Sequence, residues 1–332
     1  MNKRQKIVQE AFLDNEEAVI DLLDSTYTKA QKDIEKKIKA LQKQIDQLDS
    51  LYETIEDEEA REKILSQQRS KVYQKQYQDS LKNQVSDILD KMHDEEFETV
   101  SEYLTQCYEE GFLGTMYDLH GQGIPLIFPI DQEAIVRAVQ LDSKISKGLY
   151  KRLGEDVTLL KKNIASEISR GISTGASYSQ IALQIKAKMT GIYDKKSGGA
   201  LFRAETIAVT EGHRIQVQSG MDACYKAQEN GADVLKQWDA TLDGATRPSH
   251  RKVDGEIREL DEPFSNGLMY PGDPAGGAKE VINCRCALLQ RAKWALDEDE
   301  LNTLKERAEF FGLDKNDNFE DFKKKYLKAC DS

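Results

Sequence analysis

For its first 110 residues the chain contains neither glycine nor proline. These two residues punctuate secondary structure, glycine through its backbone freedom and proline through its fixed φ and missing N–H. A stretch this long without either has nothing that forces the backbone to turn. The apolar pattern within it is helical. Ile34, Ile38, Leu41, Ile45, Leu48, Tyr52 and Ile55 recur alternately four and three apart, the a/d seam of a coiled coil lasting about three heptads. Tyr77, Leu81, Val85, Ile88 and Met92 follow at similar spacing, and the acidic segment EDEEA (56–60) lies between the two runs. The pattern predicts two long helices packed as an antiparallel hairpin. One straight helix docked on a partner or on its own copy satisfies it too.

Residues 111–130, GFLGTMYDLHGQGIPLIFPI, change character. Gly111, Gly114, Gly121 and Gly123 are expected to break the helix and open a linker or a short irregular strand. Helical periodicity returns from Asp131, through Ile135, Val136 and Val139 and then Leu149, Leu153, Val157, Leu160, Ile164, Ile168 and Ile172. Gly171 and Gly175 close that run. Ser177 or Ser179 can cap the next helix, with Ile181, Leu183 and Ile185 toward a core. From Ala200 one long helix runs to Asn230-Gly231, a C-cap pair. VLKQWDATL then alternates like a strand up to the Asp243-Gly244 turn, a second Asp-Gly pair follows at 254–255, and VINCRCALLQ reads as a buried strand. A tail from Trp294 carries two short amphipathic helices with aromatic anchors at Phe310, Phe311, Phe319, Phe322 and Tyr326.

The fold expected is mainly α. A long helical hairpin or coiled-coil region (1–110) precedes a helical middle (111–199), a small α+β domain (200–290) and a helical extension (291–332). Net charge is −12 and mean hydropathy −0.64. An acidic balance argues against a surface that grips nucleic acid throughout. The charged N-terminus lacks an apolar signal-peptide centre and no stretch is long enough to span a bilayer, so a cytoplasmic origin without membrane contact is expected. Five cysteines, an odd number, describe no disulfide framework.

The chemistry concentrates between 203 and 286. Cys284 and Cys286 of a strand would share one face, with Arg285 on the other. With His250 they offer three ligands to a zinc ion, and Asp254 or Asp243 a fourth. The one-residue gap between the cysteines is shorter than structural zinc sites favour. The alternative is that both thiols pack as small apolar residues while His250 hydrogen-bonds within its loop. Arg203, Glu211, Arg214, Asp243, Arg247 and Asp254 are expected to form an ion-pair lattice fixing the long helix against the strand-turn-strand. A phosphate or nucleotide cleft is the competing reading.

The order TEGHR, then WDATLDGATRPSHRKVDG, then Phe264, then PGD (271–273), then EVINCRC (280–286) resembles the C-terminal signature of the phage minor head protein family, the phage Mu F-like or head morphogenesis proteins. Its residues here are Arg203, Glu211, Arg214, Trp238, Asp243, Arg247, Asp254, Gly255 and Asn283. The resemblance covers about ninety residues and stops before the tail; the helical regions upstream are similar only in architecture. It implies a low-copy virion component inside the capsid near the portal vertex, made in the host cytoplasm. The implied partners are the portal protein, the major capsid or scaffolding protein and the packaged DNA; the apolar pattern of the helices separately allows self-association through residues 34–92. No catalytic residue and no cofactor carries over, apart from the candidate zinc.

Two further functions stay in view. A hydrolase or nuclease would use His250 with Cys284 or Asp254, but no histidine follows His250 to complete a His-Asn-His site, and segment 280–289 lacks the Glu-x-Glu an ADP-ribosyltransferase would want. A DNA-binding ejection protein would use Lys144, Lys147, Lys151, Arg152, Lys161 and Lys162.

Overall fold

Continuous helix dominates the N-terminal half. The structure, a computed structural model, describes residues 1–69, 71–140, 149–174, 176–191, 199–293, 306, 309–310, 312–313 and 318–330. Helix α1 spans Lys3–Thr54, α2 Glu58–Arg69 and α3 Lys71–Gly121. The short α4 (Gln132–Gln140), α5 (Leu149–Ser173), α6 (Tyr178–Met189) and α7 (Ala200–Glu229) follow. No helix among the described residues is long and apolar enough to cross a membrane. The chain is mainly α, and it divides into two compact units, one of residues 20–99 and 150–205, the other of 1–19, 100–149 and 206–332.

In the first unit α1 and α3 run antiparallel. Tyr27 donates a buried hydrogen bond to Glu96 (2.9 Å) and Lys29 pairs with Glu95 (2.6 Å). The first half of the seam is inside: Ile34, Ile38 and Leu41 are buried, as are Leu81, Val85 and Met92, whereas Tyr52 is half-buried and Ile55, also half-buried, falls beyond the end of α1. Leu89 rather than Ile88 completes the α3 stripe. The side chains of Ile45, Leu48 and Tyr77 lie outside the described residues. Helix α5 buries Leu153, Val157, Leu160, Ile164 and Ile168, a ridge spaced three and four apart. Ser177 caps α6 reciprocally with Gln180. Ile181, Ile185 and Met189 then face inward, while Leu183 is exposed, because a four-residue spacing keeps one face and a two-residue step leaves it.

In the second unit α3 passes straight through Gly111 and Gly114, where a break was expected. These glycines are spacers. A Cβ at Gly111 would collide with the Gln216 carbonyl and the Ser219 hydroxyl of α7, and one at Gly114 with Val8 of α1. Intact i→i−4 bonding on both sides keeps the helix going, at a cost for each glycine of about 1 kcal/mol that close packing offsets. The chain leaves the helix only after Gly121, with Gly123 at φ 90°.

Behind α7 lies a three-stranded antiparallel sheet ordered β2-β1-β3, with β1 Asp233–Asp239, β2 Ile257–Glu259 and β3 Ala287–Lys293. Leu235 faces Glu259 on one side and Arg291 on the other. Val234, Lys236 and Trp238 of β1 point inward, and Lys236 satisfies its buried ammonium on the Leu260 carbonyl (2.8 Å). The strand expected across 281–290 starts later: Ala278–Val281 forms a single helical turn, and residues 282–286 are irregular. The last helix, Phe319–Cys330, buries Phe319, Phe322 and Tyr326 in the core with Phe112, Met116 and Tyr117. Phe310 is 84% exposed instead of anchoring. Phe311 and most of 294–308 lie outside the described residues.

His120, in that core, donates to the Leu126 carbonyl across 2.6 Å. Burial pushes its imidazolium down to about 4. The unfolded chain, with an ordinary histidine, then binds more protons between pH 6.5 and 4, and stability falls as pH drops through that window. His120→Gln should flatten urea-midpoint loss between pH 7 and 4 by up to about 3 kcal/mol relative to the parent chain; identical slopes would show that His120 does not titrate in this way.

Candidate functional site

The signature residues converge around one irregular stretch, 278–286, and each fixes a piece of backbone. Helix α7 supplies the floor. His213, a buried residue, bonds through Nε2 to the Cys286 carbonyl (2.7 Å), and burial lowers its basicity. Thr210 accepts the N–H of Asn283 (3.3 Å). Asn283 sits at φ 54°, a left-handed conformation that asparagine tolerates better than most side chains.

The loop after β1 closes the other side. Asp243 accepts from the Ala245 N–H and the Thr246 hydroxyl, both at 2.9 Å, and pairs with Arg285. Those bonds hold its carboxyl below the ordinary range, with the Thr246 hydroxyl the largest cause. Arg247 forks onto the carbonyls of Lys279 and Ile282. Thr241 donates to the Arg285 carbonyl (2.7 Å). Asp254 accepts the Ala240 N–H (2.8 Å), and Gly255 at φ 76° lets its own N–H reach the Trp238 carbonyl. Gly272 presses against His213, where a Cβ would come within 3.2 Å of Nδ1, and Asp273 binds the N–H groups of Met269 and Ala275 (2.8 Å each).

Inside this frame His250, Cys284 and Cys286 come together. His250 lies in the short helix Pro248–Lys252. Its Nδ1 is 3.4 Å from Cys286 Sγ and 3.6 Å from Cys284 Sγ, and its Nε2 is 2.8 Å from Glu280 Oε2. All three residues are at most 3% exposed. Trp238 meets the His250 ring edge-on (5.1 Å between centroids) and Phe264 meets Trp238 likewise (5.2 Å). The hydrogen bond between the sulfurs divides the thiols: it pushes Cys284 up, with burial adding to it, and brings Cys286 down, with His250 adding to that. Among the described residues this is the one group of three or more His, Cys, Asp or Glu side chains with ligand atoms within 4.8 Å of one another.

Asp254 and Asp243, the expected fourth ligands, stand apart from this group and serve as turn caps. The same-face placement of Cys284 and Cys286 holds although their backbone is irregular, since extended residues two apart share a side in or out of a sheet. The supporting roles of Glu280 and His213 escaped the sequence reading. Both lie in the signature, but only proximity assigns them to the cluster. The charged residues split three ways. Arg214, 1% exposed, binds Glu211 (2.8 Å), Gln218 (2.7 Å) and the Ala138 carbonyl (2.8 Å), tying α7 to α4 rather than to the sheet. Arg203 pairs with Asp156 of α5 (2.7 Å). Arg247 and Asp243 serve the 278–286 stretch.

Comparison with known proteins bears on the same segment. Residues 162–289 match the family model described as Phage Mu protein F like protein. The chain is 33% identical over 202 residues to minor head protein GP7 of Bacillus phage SPP1, covering 60% of this chain and 61% of that protein. It is 30% identical over 243 residues to the NAD(+)–arginine ADP-ribosyltransferase EFV of Enterococcus faecalis, covering 71% of this chain and 47% of that protein. The chain thus spans less than two thirds of the length of either relative. No solved structure matches it.

Arg247→Ala should lower stability by about 1–3 kcal/mol, because two carbonyls lose a charged donor. Arg247→Lys should recover less than half of that loss, since an ammonium cannot fork. Urea unfolding midpoints of the two variants check this; equal and unchanged midpoints would mean that the carbonyls need no arginine.

Proposed function

We propose that the chain, whose residues 162–289 match the Phage Mu protein F like model and which is 33% identical over 202 residues to a phage minor head protein, is a minor head protein of a tailed phage or prophage. It enters the head interior near the portal vertex, meets the portal protein and the major capsid or scaffolding protein there, and assists head assembly, DNA packaging or ejection. One observation carries the reading: the matched segment contains every signature residue, and the described contacts of those residues go into turns, caps and packing. That is the pattern of a domain kept for its shape.

The long helices are the docking device. Leu13 and Leu22 of α1 are 48% and 56% exposed, and apolar positions on the outside of a long helix are satisfied by a partner helix or a shell surface. Self-association would occur through residues 34–92 of the same helices. A DNA-binding ejection role draws less support. Lys161 is paired with Asp90, Lys162 is exposed, and Lys144 and Lys147 lie outside the described residues. The transferase activity named for the E. faecalis relative is not carried over: β3, ALLQRAK, contains no glutamate.

The double substitution Leu13→Glu, Leu22→Glu tests the docking role, because it changes two exposed positions and leaves the α1/α3 pair and the whole signature segment in place. Expressed with portal, scaffolding and capsid proteins of its phage, the parent chain should co-sediment with procapsids. The double variant should keep its helical circular dichroism and lose co-sedimentation. Full incorporation of the double variant would place docking elsewhere, and absence of the parent chain from procapsids would sink the minor head assignment.

A further inference from the structure

We propose that His250, Cys284 and Cys286 bind a zinc ion through Nδ1 and the two sulfurs, and that this ion staples the irregular loops of the signature segment together. The inference is independent of the virion role: it concerns how the segment is held, whatever the chain docks on.

The geometry is that of an ion's first shell. With zinc–sulfur bonds near 2.3 Å and zinc–nitrogen bonds near 2.0–2.1 Å, a tetrahedral site sets nitrogen and sulfur about 3.5 Å apart. The two nitrogen–sulfur separations here are 3.4 and 3.6 Å. A single imidazole nitrogen has one lone pair and accepts from one thiol, yet both sulfurs lie within 3.6 Å of it. A cation lying between the three atoms uses all of them. Two thiolates and an imidazole at tetrahedral spacing favour zinc among common divalent ions.

The surroundings are those of a metal ligand set. Glu280 lies against His250 Nε2 at 2.8 Å, where a carboxylate fixes the tautomer that leaves Nδ1 bare, and Ser249 steadies the same carboxylate oxygen at 2.9 Å. His213 holds the Cys286 carbonyl and Arg247 the Ile282 carbonyl, so both sides of the cysteine pair are anchored. Trp238 and Phe264 make an apolar wall that keeps the dielectric low. The one-residue gap between the cysteines ceases to be an objection, because the extended backbone at 284–286 directs both sulfurs to one side without a turn. Among the described residues no fourth side chain joins, so a water would complete the tetrahedron.

The full-length chain, purified reduced, without chelator and with any affinity tag removed, should contain about one zinc per molecule by elemental mass spectrometry. After chelation, cobalt(II) should restore a thiolate-to-metal absorption band with the intense visible bands of tetrahedral cobalt, and added zinc should shield two of the five cysteines from alkylation. Cys286→Ser and His250→Ala should each lose the band. Because either variant can fail to fold, the parent chain decides the matter: less than about a tenth of an equivalent of zinc, both as purified and after reconstitution, with no cobalt band and no thiol shielding, overturns the site and leaves a hydrogen-bonded thiol–imidazole core.

Discussion

Close approach of α3 and α7 is the constraint on which the signature segment rests. Gly111 stacks on the backbone of α7 at Gln216, and Gly220 of α7 answers it at Thr115, where an added Cβ would come to 3.0 Å. Gly212 sits under Tyr103 in the same way. Small residues at these crossings let the helix axes approach until backbone touches backbone. The position of α7 then sets where Thr210, His213 and Arg214 project. All three act on what lies beyond the helix: Thr210 and His213 on the 283–286 backbone, Arg214 on the end of α4. A larger residue at Gly111 would displace the whole row at once.

The helical parts of this architecture were readable in advance because their information is local. Absence of glycine and proline, a four-three spacing and a serine before an apolar run are each decided within a few residues. The glycines of α3 misled for the same reason. A local rule takes glycine as a breaker, whereas here its value lies in a partner 100 residues away. The strand over 281–290 was placed too early on equally local grounds. Its apolar run is real, but Asn283 at positive φ and the helical turn at Ala278–Val281 interrupt it, and the register with β1 begins only at Ala287.

The candidate site was legible in its members and less so in its wiring. His250, Cys284 and Cys286 could be grouped from residue type and from the alternation of side chains in extended chain. Asp254 could not be told from a ligand, because a carboxylate that caps a turn and one that binds a metal look alike in sequence; only the 2.8 Å bond to Ala240 separates them. Arg214 was expected on the sheet and works on α4, since a long flexible side chain reaches either neighbour of a helix.

The hydrogen-bond accounting explains why such a segment needs so many polar residues at fixed places. Between 240 and 256 and again between 265 and 286, little regular structure is available to satisfy backbone groups, yet Ala240, His250, Val253, Leu268, Asp273, Val281, Cys284 and Cys286 are buried. Every such N–H and carbonyl must find a partner. Arg247 serves two carbonyls, Thr241 and His213 one each, and Asp254, Asp243 and Asp273 take N–H groups. Each of these residues substitutes for a ladder bond that a helix or strand would have supplied. A small sheet backed by one helix buries little apolar surface of its own, so loops of this kind gain from a cross-link that joins distant positions at one point. The three-residue cluster at Trp238 is where 250 and 284–286 meet, and a bound ion there would tie a loop of more than thirty residues shut at its base.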